Sequence, residues 1–322
     1  MRIVVLDGFT TDQGGVEAFW GELRALGELI AYPRTAPGDV VRRCAGANAA
    51  LTNKVPFTAD TLGRLPELRY IGVVATGTNV VDLPAARAAG IAVTNVPGYA
   101  AASVAEMVFA LILHFARDVA GHAAAVKAGG WAASPDFSFF TRPMVELDGK
   151  TLVVVGSGAI GGAVARIGAA FGMRIVRAAV PGSPSGGGGR TPLAGALPQA
   201  DFVSLHCPLT EATRGMVSAA FLAAMKPDAL LINTGRGGLV NEPDLVAALA
   251  GGRLGGAALD VLDVEPPPAD HPLTDPRAPW ADRVVVTPHI AWGTVEARRR
   301  LAAQAIANLA AFARGERRNR VD

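Results

Sequence analysis

The sequence predicts an α/β protein built from two doubly wound parallel-sheet domains, and three observations carry that expectation. Short apolar, β-branched runs alternate with Ala- and Leu-rich stretches over the first hundred residues, the pattern of strands joined by covering helices. The alternation lapses after about residue 100 and restarts at Thr151. A chain of 322 residues is also long enough for about two domains, each with its own core.

Taken in order, the strand-like runs of the first half are residues 3–6, 28–32, 49–52, 70–74 and 92–95, each short, apolar and bounded by polar or turn residues. Between them, residues 16–26, 37–44, 59–65 and 83–89 have the composition of helices. One helical stretch is expected over residues 101–126, followed by an irregular aromatic segment at 131–140. From Thr151 the β-then-α order runs to Val286, and a last helix over 295–313 has no strand of its own to serve, so it is expected to return to the first domain. The stretch Pro181-Gly-Ser-Pro-Ser-Gly-Gly-Gly-Gly189 reads as loop. The domain boundaries read from this are 1–99 with 293–322, and 100–292.

Composition excludes several classes. With 50% hydrophobic and 18% charged residues the chain is neither disordered nor collagen-like. Thirty basic against 28 acidic side chains leave +2, so no nucleic-acid partner is expected, and the basic run 314–320 reads as a solvated tail. No stretch approaches the ~18 apolar residues of a membrane span, and the N-terminus lacks a secretory pattern. Cys44 and Cys207 have neither metal-ligand nor disulfide spacing and read as reduced structural thiols; a soluble cytoplasmic protein without a metal is expected.

The apolar run 151–155 leads into Gly156-Ser-Gly158-Ala-Ile-Gly161 and then a helical stretch, 163–171. That is the context in which a glycine pattern binds a dinucleotide: the first glycine for the turn, the second for close approach of pyrophosphate, the third for helix-on-strand packing. The next strand, 174–179, should end in an acid that binds the adenosine ribose and repels a 2′-phosphate. It ends in Ala178-Ala179-Val180. The choice between NAD and NADP is therefore open, because Ala179 replaces that acid; Arg177 and Arg190 could each meet a phosphate or simply face solvent.

Ligands of open α/β sheets bind beyond the carboxyl ends of strands. Three such ends deliver Arg236, Glu265 and His289. The planar guanidinium of Arg236 can grip a carboxylate in two parallel bonds and polarise a neighbouring carbonyl. His289 can pass a proton to a carbonyl oxygen as hydride arrives, or remove one in reverse, and Glu265 against the ring would fix its tautomer and favour the cation.

The chain resembles the D-isomer-specific 2-hydroxyacid dehydrogenase family over nearly its whole length. The resemblance rests on Gly156-Ser-Gly-Ala-Ile-Gly161, Leu205-His-Cys-Pro-Leu-Thr210, Met225-Lys-Pro-Asp228 and Leu231-Ile-Asn-Thr-Gly-Arg-Gly237. It continues through Ala258-Leu-Asp-Val261, Val264-Glu-Pro266 and Thr287-Pro-His-Ile-Ala-Trp292. Within the family, Thr52-Asn-Lys54, Ala75-Thr-Gly-Thr-Asn79, Val96-Pro-Gly-Tyr99 and His289-Ile-Ala-Trp-Gly293 look most like its glycerate dehydrogenase (hydroxypyruvate reductase) branch.

The resemblance implies a flavodoxin-like substrate domain, a Rossmann cofactor domain and a site in the cleft between them. It implies catalytic roles for Arg236, Glu265 and His289. Cofactor contacts would come from Gly156, Gly158, Ala159, Ile160, Gly161, His206, Cys207, Pro208, Thr213, Thr234, Gly235 and Ala291, with Asp260 on the nicotinamide carboxamide. Lys54, Thr76, Gly77 and Thr78 would bind the substrate carboxylate. The implied reaction is hydride transfer between a nicotinamide cofactor and a small D-2-hydroxy acid/2-oxo acid pair, hydroxypyruvate/D-glycerate or glyoxylate/glycolate, in a homodimer paired through an arm at 121–146.

Formate dehydrogenases carry Gln where Glu265 stands, and phosphite dehydrogenases carry Lys where Thr76 stands, so both are disfavoured. Phosphoglycerate dehydrogenase is harder to exclude and stays as an alternative, although no regulatory domain is expected beyond Asp322 and the 75–79 loop adds no cation for a phosphate. The reading from another class is a nucleotide-sensing corepressor-like scaffold of the same fold, against which the absence of long charged tails speaks.

Overall fold

The computed structural model describes residues 1–183 and 189–322. The glycine-rich stretch expected as loop lies outside the described residues from 184 to 188. The chain divides into two compact units, Met1–Ala100 with Gly293–Asp322, and Ala101–Trp292.

Unit 1 holds a five-stranded parallel sheet of β1 (Arg2–Val5), β2 (Glu28–Ala31), β3 (Ala49–Thr52), β4 (Tyr70–Val73) and β5 (Ala92–Thr94), in the order β2-β1-β3-β4-β5. This is the flavodoxin-like order, which reverses direction beside the first strand. Both faces are covered, as continuous apolar strands require. Val4, Ala50, Ile71 and Val93 face a core shared with Val40, Leu62 and Ala86. On Tyr70 the helix Val295–Ala313 packs Phe312, ring centroids 5.0 Å apart. That terminal helix is tied into unit 1 by buried Arg298, whose Nη1 donates to Thr11 O at 2.8 Å, and by Asn308 Nδ2 on Asn95 O at 2.9 Å.

Unit 2 holds a six-stranded parallel sheet of β6 (Thr151–Val155), β7 (Arg174–Ala178), β8 (Phe202–Leu205), β9 (Leu230–Asn233), β10 (Gly256–Leu259) and β11 (Val284–Val286), ordered β11-β10-β9-β8-β6-β7. A single parallel bridge from Ala178 to Thr191 stands outside β7, where the third strand of the dinucleotide-binding order 3-2-1-4-5-6 would lie. The alternation of side chains along β6 sends Val153 and Val155 into one core with Leu245 and Leu249. It sends Leu152 and Val154 into the other, with Val108, Ile112 and Val164.

Three of the expected helical stretches are divided in the structure, and the one expected over 163–171 starts earlier, as Ala159–Ala170. The stretch 101–126 is two helices, Ala101–Arg117 and Val119–Lys127, because Asp118 between them turns left-handed at φ 43° and caps the second through Gly121 N–H at 3.2 Å. Residues 16–26 form the helix Val16–Trp20 followed by a 3₁₀ stretch, Gly21–Leu26. Residues 37–44 form a 3₁₀ turn, Pro37–Asp39, followed by the helix Val40–Cys44. Segment 131–140 is irregular as expected. Among the described residues no helix is long and apolar enough to cross a membrane.

Candidate active site

The three adjacent strands β9, β10 and β11 end at one edge of the unit 2 sheet and deliver the polar residues in turn. After β9 the buried Asn233 folds the chain back on itself: its Oδ1 accepts from Gly235 N–H at 3.0 Å and its Nδ2 donates to Arg236 O at 2.9 Å. Arg236 emerges exposed from this turn between half-buried Gly235 and buried Gly237, its Nη1 donating to Gly235 O at 2.7 Å.

Glu265 and His289 meet. His289 Nδ1 lies 2.6 Å from Glu265 Oε2, with side chains 26% and 33% exposed. A carboxylate only accepts, so this bond places a proton on Nδ1 and leaves Nε2 as the ring atom suited to give or take a proton. His289 stands in the left-handed region at φ 53°, an uncommon place for a side chain with a Cβ. Asp260 imposes it. Its carboxylate, 1% exposed, accepts from Thr287 Oγ1 at 2.6 Å, Ile290 N–H at 2.9 Å and Ala291 N–H at 2.8 Å, while its carbonyl takes His289 N–H at 2.8 Å. Asp260 is therefore first the organiser of the His289 turn.

The glycine turn follows β6 as expected. Gly156 has φ 101°, and a Cβ there would press on the His206–Cys207 peptide. A Cβ on Gly161 would overlap Gly156 O, so helix and strand pack at glycine distance. In front of Gly158, by contrast, a Cβ would meet nothing within 4 Å. Gly158 caps the helix Ala159–Ala170 without a side-chain bond, which leaves the first-turn N–H groups open to an anion.

A cavity of about 700 Å³ opens onto this turn, walled by Gly156, Gly158, Arg190, His206, Pro208 and Thr213 among others. Burial pushes the His206 ring down to about 4, so it is neutral there, and its Nε2 is 2.8 Å from Ser204 Oγ. Cys207 is a protonated thiol, pushed up to about 11 by burial. Thr234 Oγ1, at the end of β9, is buried without a hydrogen-bond partner. An uncapped helix N-terminus, open space at Gly158 and an orphaned hydroxyl together fit a dinucleotide phosphate and its neighbouring polar groups.

Beyond β7, Ala179 N–H is bonded to Thr191 O at 2.8 Å, and the cavity wall is made by Val180 to Ser183 and by Arg190. Arg190 is brought there by the Ala178–Thr191 bridge. Arg177 is exposed and does not line the cavity.

Unit 1 carries its own set at the carboxyl edge of its sheet. The N–H groups of Thr76, Gly77 and Thr78 meet no protein acceptor among the described residues, and the loop is pinned by Thr76 Oγ1 on Val96 O (3.0 Å) and Asn95 Nδ2 on Thr76 O (2.7 Å). Lys54 is exposed between buried Asn53 and Val55. Sequence reasoning missed what holds it. Asp7, at the end of β1, accepts from the N–H groups of Asn53 at 2.8 Å, Lys54 at 2.6 Å and Val55 at 3.2 Å, and burial holds its carboxyl above the usual range. The signal available was an acid directly after an apolar strand, Val4-Val-Leu-Asp7.

Residues 109–291 match the family pattern described as D-isomer specific 2-hydroxyacid dehydrogenase, NAD binding domain. The chain is 39% identical over 321 residues to a hydroxypyruvate reductase of Blautia hydrogenotrophica, covering 98% of each chain. It belongs to the D-isomer-specific 2-hydroxyacid dehydrogenase family. A glycerate dehydrogenase of Methylorubrum extorquens is 40% identical over 312 residues, 97% of each chain. Among solved structures, an NADPH-dependent glyoxylate/hydroxypyruvate reductase from Sinorhizobium meliloti superposes with TM-score 0.82 at 29% identity, over 99% of this chain and 97% of that one. The protein is thus an oxidoreductase of the NAD(P)-dependent D-2-hydroxyacid dehydrogenase class, with the two parallel-sheet domains of that family.

The depressed His206 has a measurable consequence. An unfolded chain takes up a proton at this position as pH falls below the ordinary 6.5, whereas the folded one resists until about 4, so stability is lost as pH falls through that interval. Thermal denaturation followed across it should show a shallower decline for His206→Asn than for the wild type. Equal slopes would mean that the ring is solvated.

Proposed function

We propose that this dehydrogenase interconverts a small 2-oxo acid and its D-2-hydroxy acid, hydroxypyruvate/D-glycerate or glyoxylate/glycolate. The observation that carries the reading is the 2.6 Å bond between His289 and Glu265 at the edge that also delivers Arg236. The names of the relatives support the substrate class.

A bound nicotinamide dinucleotide supplies or takes up the hydride. In reduction, His289 in its cationic form gives the Nε2 proton to the carbonyl oxygen, and the ring returns to the neutral form with Nδ1–H still on Glu265. Arg236 grips the carboxylate and polarises the adjacent carbonyl. The N–H groups of Thr76, Gly77 and Thr78 and the Lys54 ammonium supply further donors to the carboxylate. Asp260, with one acceptor position of Oδ2 unspent by the His289 turn, takes the carboxamide.

The cofactor reading is NAD with NADP accepted. No acid stands at Ala179, and Arg190 is the single cation among the described residues that wall the cavity, balanced by Glu211. A homodimer is supported by the apolar arm of unit 2, where Trp131, Phe137, Phe140 and Met144 are all exposed, Phe137 by 91%. Cys44 and Cys207, both buried free thiols, suit a cytoplasmic site.

Three outcomes follow. Wild-type enzyme should oxidise reduced nicotinamide when given hydroxypyruvate or glyoxylate, and His289→Ala should lower kcat by about 10²–10⁴ with cofactor affinity nearly intact; wild-type kcat in the mutant, or no turnover over a panel of 2-oxo acids, would overturn the reading. Arg190→Ala should reduce kcat/KM for NADPH about tenfold and leave NADH unchanged, as expected for one lost charged hydrogen bond; an unaltered ratio of the two cofactors would return Arg190 to the surface. In sedimentation the wild type should run as a dimer, and Phe137→Asp with Phe140→Asp should shift it toward monomer.

A further inference from the structure

Glu265 is carried by an unlikely support. The segment from Asp263 to Asp270 is exposed at every residue, contains Pro266-Pro-Pro268 and has no helix or strand, yet Glu265 meets the imidazole at 2.6 Å. Something must hold the segment still, because misplacing a reacting group by about 1 Å costs on the order of a hundredfold in rate.

The support is a carboxylate on another element. Glu242 is the first residue of the helix Glu242–Ala250. Its Oε1 accepts Asp263 N–H at 2.9 Å, and its Oε2 lies 3.1 Å from His271 Nε2. His271 Nδ1 accepts Leu273 N–H at 3.3 Å, so the proton of the neutral ring sits on Nε2 and is donated to Glu242. Both ends of the segment therefore terminate on the two oxygens of one carboxylate. The pair is shielded, with side chains 9% exposed for His271 and 17% for Glu242.

Two further contacts feed the same point. Leu262 N–H donates to Glu265 Oε1 at 3.1 Å, which turns the catalytic carboxylate back over the start of its own loop. Gly237, the neighbour of Arg236, packs so closely on the Leu262–Asp263 peptide that a Cβ would overlap it. The turn that presents Arg236 and the loop that presents Glu265 thus rest on each other beside Glu242.

We infer that Glu242, together with His271, is a positioning residue for the proton-transfer pair, fixing through two hydrogen bonds the loop that presents Glu265 to His289. The inference rests on the proposed roles of Glu265 and His289. It gives His271, otherwise one more histidine in a proline-rich loop, a defined task.

The test is a double-mutant cycle in kcat. Glu242→Gln puts an amide where two donors face two oxygens, so one of the two bonds is lost; kcat for 2-oxo acid reduction should fall about tenfold or more, with KM for the cofactor unchanged. His271→Asn, which loosens one end only, should cost less. In a Glu265→Ala background, where there is no carboxylate left to position, either change should alter kcat by less than about twofold. Wild-type kcat in Glu242→Gln, or the same loss with and without Glu265, would overturn the inference. Wild-type kcat in Glu265→Ala itself would instead remove the proton-transfer reading, and the positioning role with it.

Discussion

The carboxylate of Asp260, buried at the end of β10 with three donors and, among the described residues, no cation on it, decides where His289 can stand. An ionised group taken out of water costs several kcal/mol unless it is paired or hydrogen-bonded. Here the compensation comes from charged hydrogen bonds, each of about 1.5–3 kcal/mol, from the hydroxyl of Thr287 and the N–H groups of Ile290 and Ala291. These donors flank His289 on both sides in the chain, so satisfying the charge wraps the turn around it. The left-handed φ of 53° at His289, which costs about 1–2 kcal/mol, is a consequence of that wrapping. Its imidazole is then aimed by the backbone before Glu265 touches it.

The same device recurs, and its position in the sheet separates scaffold from site. Asp201, just before β8, accepts Thr151 N–H at 2.7 Å and Lys226 Nζ at 2.8 Å, and so ties strand starts together. Asp7 and Asp260 follow strands, where the loops of open α/β sheets meet ligands. Each gathers successive backbone N–H groups and so dictates a loop shape. In unit 1 the loop so shaped lifts Lys54 out between two buried neighbours. The contrast with Asp201 is one of partners: a lysine neutralises a scaffold charge, whereas backbone dipoles hold the loop-forming ones.

What could be read from the sequence was what is local. Apolar runs such as 151–155 announced buried strands, and the glycine turn after them was visible because its neighbours in space are its neighbours in the chain. Arg236, Glu265 and His289 could be placed at strand ends for the same reason. The break at Asp118 was hidden because Ala116 and Arg117 before it and Ala120 after it favour helix, and only the side chain's bond to Gly121 and its ion pair with Arg142 reveal the cap. Asp7, Glu242 and His271 were illegible for a different reason. Their partners lie 46, 21 and 29 residues away, and no periodicity encodes which acid meets which loop. The pairing of Glu265 with His289, 24 residues apart, was expected from their strand-end positions, their complementary chemistry and the family resemblance together.

Two helix starts in unit 2 show how this division is written in single residues. The helix Glu242–Ala250 is closed on itself: Asn241 caps Asp244 N–H at 3.2 Å, and Glu242 and Asp244 bring negative charge to its first turn. Its acids are then free to hold other segments, Asp244 on Ala219 N–H and Glu242 on Asp263 N–H. The helix Ala159–Ala170 has neither a capping side chain nor an acid in its first turn. A Cβ at Gly158 would meet nothing within 4 Å, and a Ser or Asp cap there would contribute about a few tenths of a kcal/mol over glycine. Glycine there forgoes that stability and keeps the N–H groups and the positive end of the helix dipole for an incoming anion. With His206 neutral and Cys207 protonated beside it, the positive character of this turn comes from backbone dipoles.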